Sequence, residues 1–210
     1  MSRTKAVSPK FRVGSDGWCG DVLRSASPNF DARPAEAAID LLVIHNISLP
    51  PGRFEGQFIS DFFTNRLDCD AHPYFDQLRT LRVSAHFLIR RDGSVIQFVS
   101  ASDRAWHAGL SSFAGRERCN DFSIGIELEG TDFEPFSEVQ YEVLAALTVA
   151  LQAAYPLTDV VGHEHIAPGR KTDPGPFFDW CDYRARYRQK ITPLQSSATA
   201  VDLLRFHALA

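Results

Sequence analysis

DFSIGIELE, residues 121–129, alternates an apolar residue with a small or polar one. Phe122, Ile124, Ile126 and Leu128 fall on one face of an extended chain; Ser123, Gly125, Glu127 and Glu129 fall on the other. That period of two predicts a β-strand with one face against a core. Upstream, Ile39–Ile44 reads IDLLVI, a β-branched and Leu run suited to a strand buried on both faces. It ends at His45-Asn46, ahead of the Pro50-Pro51-Gly52 stop. Between these two strands, Val83–Ile89 and Ser94–Val99 flank Arg90-Arg91-Asp92-Gly93. The Asp-Gly step predicts a hairpin.

Downstream, the spacing predicts a helix over about Ser137–Tyr155. Ser137 and Gln140 form a capping box, and Phe136 with Tyr141 a hydrophobic staple. Val143, Leu147, Ala150 and Leu151 recur at helical spacing, and Pro156 ends the run. Thr158–Val161 reads as a short strand and about Asp179–Gln189 as a second helix rich in aromatic residues and Arg. Residues 50–80 scatter six aromatics among Gly, Pro and Asp, which predicts an irregular insert with short helical turns. Such an insert is either a lid or ordinary helical packing. Residues 1–23 read as a loose polar arm, 24–188 as the main domain and 189–210 as a tail with a Ser196–Ala200 linker.

Composition narrows the class. The chain has 210 residues, 44% hydrophobic and 23% charged, so one globular domain with a sizeable core is expected. A net charge of −4 argues against a non-specific nucleic-acid binder. The longest apolar-rich stretch, 143–155, is too short for a membrane span and is broken by Thr148 and Gln152. The first twenty residues contain no apolar signal core. Cys19, Cys69, Cys119 and Cys181 are scattered, with no CxxC pair. The expectation is therefore a cytoplasmic protein with reduced thiols that serve as small packing residues.

Chemistry concentrates in GHEHIAPGRKTDPGP, residues 162–176, where two His, an Arg, a Lys and an Asp stand among Pro and Gly. On an extended backbone His163 and His165 would face one way, as metal chelators do; the plain alternative is a polar surface loop. His45 ends a strand, where α/β-type proteins open into clefts, or it is a satisfied structural histidine. Glu127 lies beside Gly125, whose missing side chain leaves room for a ligand, or on a solvated sheet face. Together the residues propose two imidazoles and a carboxylate with an open position, a catalytic metal pattern suited to zinc or non-haem iron. The spare Glu and Lys favour hydrolysis.

LLVIHNISLPPG (41–52), LRVSAHFLIRRDGSVIQFV (81–99), RAWHAG (104–109), GRERCNDFSIGIELEGTD (115–132) and residues 162–176 closely resemble the zinc-dependent N-acetylmuramoyl-L-alanine amidases. Within them, the likeness is to the cytoplasmic anhydro-muropeptide amidases of Gram-negative bacteria and spans about residues 24–188. The resemblance implies an α+β fold, a mixed central sheet flanked by helices, shared with the peptidoglycan recognition proteins. It implies His45, His163 and Asp173 as Zn²⁺ ligands, with His165 left out. Glu127 would be the catalytic base and acid, and Lys171 the residue that meets transition-state charge. Asn46, Arg82, Ala105, Trp106, His107 and Arg118 would line the substrate cleft. The implied reaction hydrolyses the amide between the lactyl group of muramic acid and L-alanine in a small anhydro-muropeptide, with a monomer and no nucleic-acid or membrane partner. The competing readings are an amidase acting on intact peptidoglycan and a non-catalytic sensor of its fragments.

Overall fold

The alternating stretch sits at the centre of a seven-stranded sheet. The computed structural model describes residues 11–195 and 203–207, so the Ser196–Ala200 linker lies outside the described residues. In chain order the strands are β1 (Leu23–Arg24), β2 (Phe30–Asp31), β3 (Leu41–Ile47), β4 (Phe87–Ile89), β5 (Val95–Gln97) and β6 (Arg104–Ala105). They continue as β7 (Ser112–Phe113), β8 (Arg116–Glu117), β9 (Ser123–Glu129), β10 (Asp159–Gly162) and β11 (Arg205–His207). The α-helices are α1 (Phe58–Phe63), α2 (Glu138–Ala154), α3 (His163–Ile166) and α4 (Trp180–Gln195). The main sheet runs β1-β5-β4-β9-β3-β10-β11. Among the described strands of this sheet, β4 and β5 are the one antiparallel pair; their turn holds Gly93 at a φ of 83°.

The alternation in β9 sets the layers. Ile124, Ile126 and Leu128 join Leu42 and Ile44 of β3 in a buried cluster with Leu144, Leu147 and Leu151 of α2 and Tyr183 and Tyr187 of α4. The helices therefore cover the even-numbered face. The odd-numbered face is buried as well: the His107 ring lies over Gly125, and Ser123 Oγ donates to the Cys119 carbonyl. Helix α2 starts where the sequence places it. Ser137 Oγ accepts from Gln140 N and Gln140 Oε1 accepts from Ser137 N, which closes the capping box. Gln140 Nε2 also donates to the carbonyls of Ile89 and Glu129, fastening the start of α2 to β4 and β9. Phe136 and Tyr141 meet with ring centroids 6.4 Å apart, as the staple requires.

Three expectations change. The N-terminal segment is no loose arm from residue 11 onward. Phe11 and Cys19 are buried, Gln97 Nε2 donates to the Gly17 carbonyl, and β1 pairs with β5. The tail is not separate either. β11 adds a parallel strand beside β10, Phe206 stacks on Tyr183 and Tyr187, and Arg205 and His207 both bind the Asp159 carboxylate. The second helix runs to Gln195, beyond the expected Gln189. The aromatic insert does form short helical turns, and Phe62, Phe63 and Phe75 bury against Leu88, Ile96 and Phe98. Cys19 and Cys119 are buried packing residues as expected, whereas Cys181 is exposed; all four thiols are free.

Candidate metal centre

Parallel register brings the chemistry to one edge. His45 of β3 lies directly opposite Glu127 of β9, and Ile44 lies opposite Gly162, the residue before His163. Three adjacent parallel strands thus deliver His45, Glu127 and His163 at their carboxyl ends, where open sheets commonly place ligands. Asp173 comes from the loop after α3; its carbonyl accepts from Glu164 N, which ties that loop back to the helix.

The three donor atoms converge. His45 Nδ1 lies 3.0 Å from His163 Nδ1 and 2.9 Å from Asp173 Oδ2, and His163 Nδ1 lies 3.0 Å from the same oxygen. Both imidazoles are buried and the carboxylate is partly so. His163 Nε2 faces the Ala108 carbonyl at 3.1 Å. A carbonyl can only accept, so Nε2 carries the proton and Nδ1 presents a lone pair. A lone pair against a carboxylate oxygen at that distance calls for a cation. Ligand atoms around a tetrahedral zinc stand roughly 3.3 Å apart for bonds of about 2.0–2.1 Å. The two imidazoles and one carboxylate fit such an ion and leave a position open.

Charge in the cleft is tuned by burial. Burial first, then the neighbouring His163, pushes His45 down to about 4, although Asp173 pulls the other way. Glu127 is pushed well above the ordinary carboxylate range, by burial and then by the Asp173 charge, with Lys171 opposing. Its Oε2 is buried without a hydrogen-bond partner. An orphaned carboxylate oxygen beside three convergent ligand atoms is a group held ready for a proton.

These residues line a cleft of about 770 Å³ with Asn46, Trp106, His107 and Lys171. The insert contributes Phe62, Phe63, Tyr74 and Leu78 to one wall, and Thr131–Glu134 contributes to the wall as well. The remaining expected cleft residues fall elsewhere. Ala105 is fully buried, because β6 pairs with β2 and packs beneath the insert. Arg82 is exposed; its Nη1 donates to the Arg79 and Leu81 carbonyls beside a separate cavity of about 310 Å³. Arg118 sits at a left-handed turn with φ 61°, 3.3 Å from the Asp121 carboxylate and off the cleft lining.

The histidine pair His163 and His165 does not chelate. Its backbone is helical instead of extended, and His165 Nδ1 turns back to accept from Gly162 N at 2.7 Å. The space above Gly125 is not a ligand pocket. A Cβ there would lie 2.5 Å from His107 Cγ, so the His107 ring already fills it. Asn46 Nδ2 is committed to Asp132 Oδ1 and the Pro174 carbonyl, at 2.6 and 3.0 Å. Thr172 Oγ1 donates to the other Asp132 oxygen at 2.5 Å, so Asp132 pins the segment that carries Lys171 and Asp173. Sequence reasoning missed Asp132: it follows the strand in a turn, where no periodicity marks it. Arg170, the Arg of the 162–176 segment, has a bracing part that its position did not indicate: its Nη2 donates to the carbonyls of Ala108 and Leu110 and holds the loop beside His163.

Comparison with known proteins follows the same lines. A family model described as N-acetylmuramoyl-L-alanine amidase matches residues 35–176. The 1,6-anhydro-N-acetylmuramyl-L-alanine amidase AmpD of Citrobacter freundii is 56% identical over 180 residues, covering 85% of this chain and 94% of that protein. A crystal structure of an AmpD selenomethionine derivative superposes with a TM-score of 0.78 at 55% identity, covering 81% of this chain and 97% of its own. The amidase AmiD of E. coli, solved with anhydro-N-acetylmuramic acid-L-Ala-D-gamma-Glu-L-Lys, gives a TM-score of 0.53 at 29% identity over 90% of this chain and 73% of its own. Human PGRP-IBETAC shares the fold at 17% identity, with a TM-score of 0.54 over 90% of this chain and all of its own (100%). The expected α+β architecture thus stands, and the chain belongs to the N-acetylmuramoyl-L-alanine amidase family.

Proposed function

We propose that this protein hydrolyses the amide between the lactyl group of 1,6-anhydro-N-acetylmuramic acid and L-alanine in anhydro-muropeptides, in cell-wall recycling. The observation that carries the reading is the convergence of His45, His163 and Asp173 beside the orphaned Glu127 oxygen in one cleft. Identity to AmpD over nearly that enzyme's whole length supports the anhydro-sugar substrate. His45, His163 and Asp173 would hold Zn²⁺. When bound, the ion supplies Lewis acidity toward water and the scissile carbonyl.

The chain's own residues supply the rest. Glu127 Oε2 takes the proton of the attacking water and hands it to the departing alanine nitrogen, which would otherwise leave as an amide anion. Burial raises the affinity of Glu127 for that proton and suits it to both steps. The Lys171 ammonium, on the cleft wall, meets the negative charge growing on the carbonyl oxygen. Trp106 offers an apolar face to sugar or peptide. Arg82 and Arg118 remain candidates for substrate carboxylates at the periphery, where guanidinium forks pair bidentately. Ala105 supports Trp106 through the backbone of its buried strand.

Free thiols at all four cysteines support a cytoplasmic setting. No helix among the described residues is long and apolar enough to cross a membrane. Assembly of the site from one chain supports action as a monomer. The test is mass spectrometry of products from a defined anhydro-muropeptide, with and without a chelator. The expected products are the free peptide beginning at L-alanine and the anhydro-sugar, with chelator suppressing both. Cleavage at another bond would overturn the substrate assignment, and undiminished cleavage in chelator would overturn the metal.

A further inference from the structure

His107 lines the cleft, yet its hydrogen bonds run into the protein. Its Nδ1 lies 2.9 Å from His45 Nε2, and its Nε2 lies 3.2 Å from Ser123 Oγ. Ser123 Oγ in turn donates to the Cys119 carbonyl at 2.6 Å. The carbonyl at the end of this chain fixes every proton in it. Cys119 O only accepts, so the Ser123 hydroxyl hydrogen points there and an Oγ lone pair faces His107. His107 Nε2 must then carry a proton, which leaves Nδ1 as an acceptor. His45 Nε2 must carry a proton to match it. Only then does His45 Nδ1 present a lone pair to His163 and Asp173.

We infer that His107 is a positioning residue that, anchored by Ser123 and Cys119, locks His45 into the one tautomer able to bind the metal. His163 gets the same service directly from the Ala108 carbonyl. Among the described residues the partner of His45 Nε2 is His107 Nδ1, so His45 receives it through a two-residue relay. Gly125 is part of the device. Its backbone is ordinary strand, but a Cβ would lie 2.6 Å from His107 Nδ1, so only glycine lets the ring lie flat across β9. The His107 main-chain N donates to Asn120 Oδ1 at 3.1 Å, which holds the ring's base in place. His107 thereby acts on the metal through His45 and not by contact with substrate.

The inference rests on the zinc reading above, and its test separates the two. Zinc affinity is measured by chelator competition on the folded wild-type chain and on His107→Leu, His107→Asn, Ser123→Ala and Gly125→Ala. Loss of such an outer partner weakens binding about 10–100-fold, expected for His107→Leu and Gly125→Ala. In His107→Asn, Oδ1 stands where Nδ1 stood and should recover most of the affinity. Ser123→Ala, two bonds removed from the metal, should weaken binding several-fold. Long-range proton–nitrogen NMR reads the tautomers directly, in metal-free and zinc-loaded protein. The expected spectrum shows His107 and His45 both protonated at Nε2. Protonation of His107 at Nδ1 in the metal-free chain would overturn the relay, as would wild-type zinc affinity in both His107→Leu and Ser123→Ala. If His107→Leu does not fold, Ser123→Ala and the NMR decide. A wild-type chain that binds no zinc would sink the zinc reading, while the tautomers would still judge the relay.

Discussion

The two faces of β9 are both buried, yet they answer to different physics. Ile124, Ile126 and Leu128 face α2 and α4, where any side chain of the right volume contributes in proportion to its burial. Ser123, Gly125 and Glu127 face the other way, and each meets specific atoms or is kept free of any: a carbonyl and an imidazole nitrogen for Ser123, the flat of that imidazole for Gly125, an orphaned oxygen for Glu127. On the first face chemistry is interchangeable and space is scarce. On the second, one atom out of place disables the site while the fold persists. A single strand can therefore carry stability and reactivity without either constraining the other, because its period of two keeps them on opposite sides.

Substitutions that hit one face only test that separation. The largest effect is expected from Glu127→Gln, which keeps shape and removes the proton acceptor. Amide hydrolysis should fall by about 10²–10⁴-fold, with zinc content and thermal midpoint near wild type. Wild-type turnover in this variant would break the division. Next comes Ile126→Ala on the opposite face. It should cost roughly 2–5 kcal/mol in a denaturant titration, while the folded fraction keeps its turnover. A comparable loss of turnover per folded molecule would show that the faces are coupled.

An effect spread over several pH units is expected from acid. His86, whose Nδ1 accepts from Gly125 N, is pushed down to about 3, by burial first and then by the Arg33 guanidinium. The unfolded histidine titrates near 6.5, so between that pH and about 3 the unfolded chain binds the extra proton. This contribution to stability is complete above the window and is lost as pH falls through it, at up to about 1.4 kcal/mol per pH unit. Denaturation midpoints at several pH values should show a shallower acid slope in His86→Gln than in wild type. An unchanged slope would remove His86 as a source of acid sensitivity.

The strand–helix framework was legible because local rules and tertiary packing agree there. The alternation of 121–129 and the Ser137–Gln140 capping box each place an element within one or two residues of its observed bounds, and the Asp-Gly step places the hairpin turn, although its first strand begins at Phe87 and not at Val83. His45, His163, Asp173 and Glu127 were legible through motif resemblance, since composition could not say that residues 45, 127, 163 and 173 meet. What escaped was long-range and short in sequence. β11 has three residues and no period to read, and its partner is 46 positions away from Arg205 at Asp159. The packing of residues 11–24 depends on Gln97, a polar side chain that no hydrophobic pattern selects. The resemblance implies His107 as a cleft residue, and it lines the cleft, but its bond to His45, 62 positions upstream, leaves no mark in the sequence. The aromatics of the insert leave lid and packing both open in the sequence; in the fold Phe62, Phe63 and Phe75 join a buried cluster, and Phe62, Phe63, Tyr74 and Leu78 also line the cleft.

The closing strand also bears on how the protein is made. Synthesis runs from the N-terminus, and folding begins before the chain is complete. Strand β10, which leads straight into His163, has β3 on one side from early on, but its other edge stays bare until residues 205–207 leave the ribosome. For that interval the strand beside the reactive centre is an open edge, the kind that recruits foreign chains. The buried Asp159 carboxylate also waits for Arg205 and His207. Residues 205–207 thus cover the flank of β10, and a ribosome that stops short of them releases a nascent chain whose strand beside His163 is a bare edge.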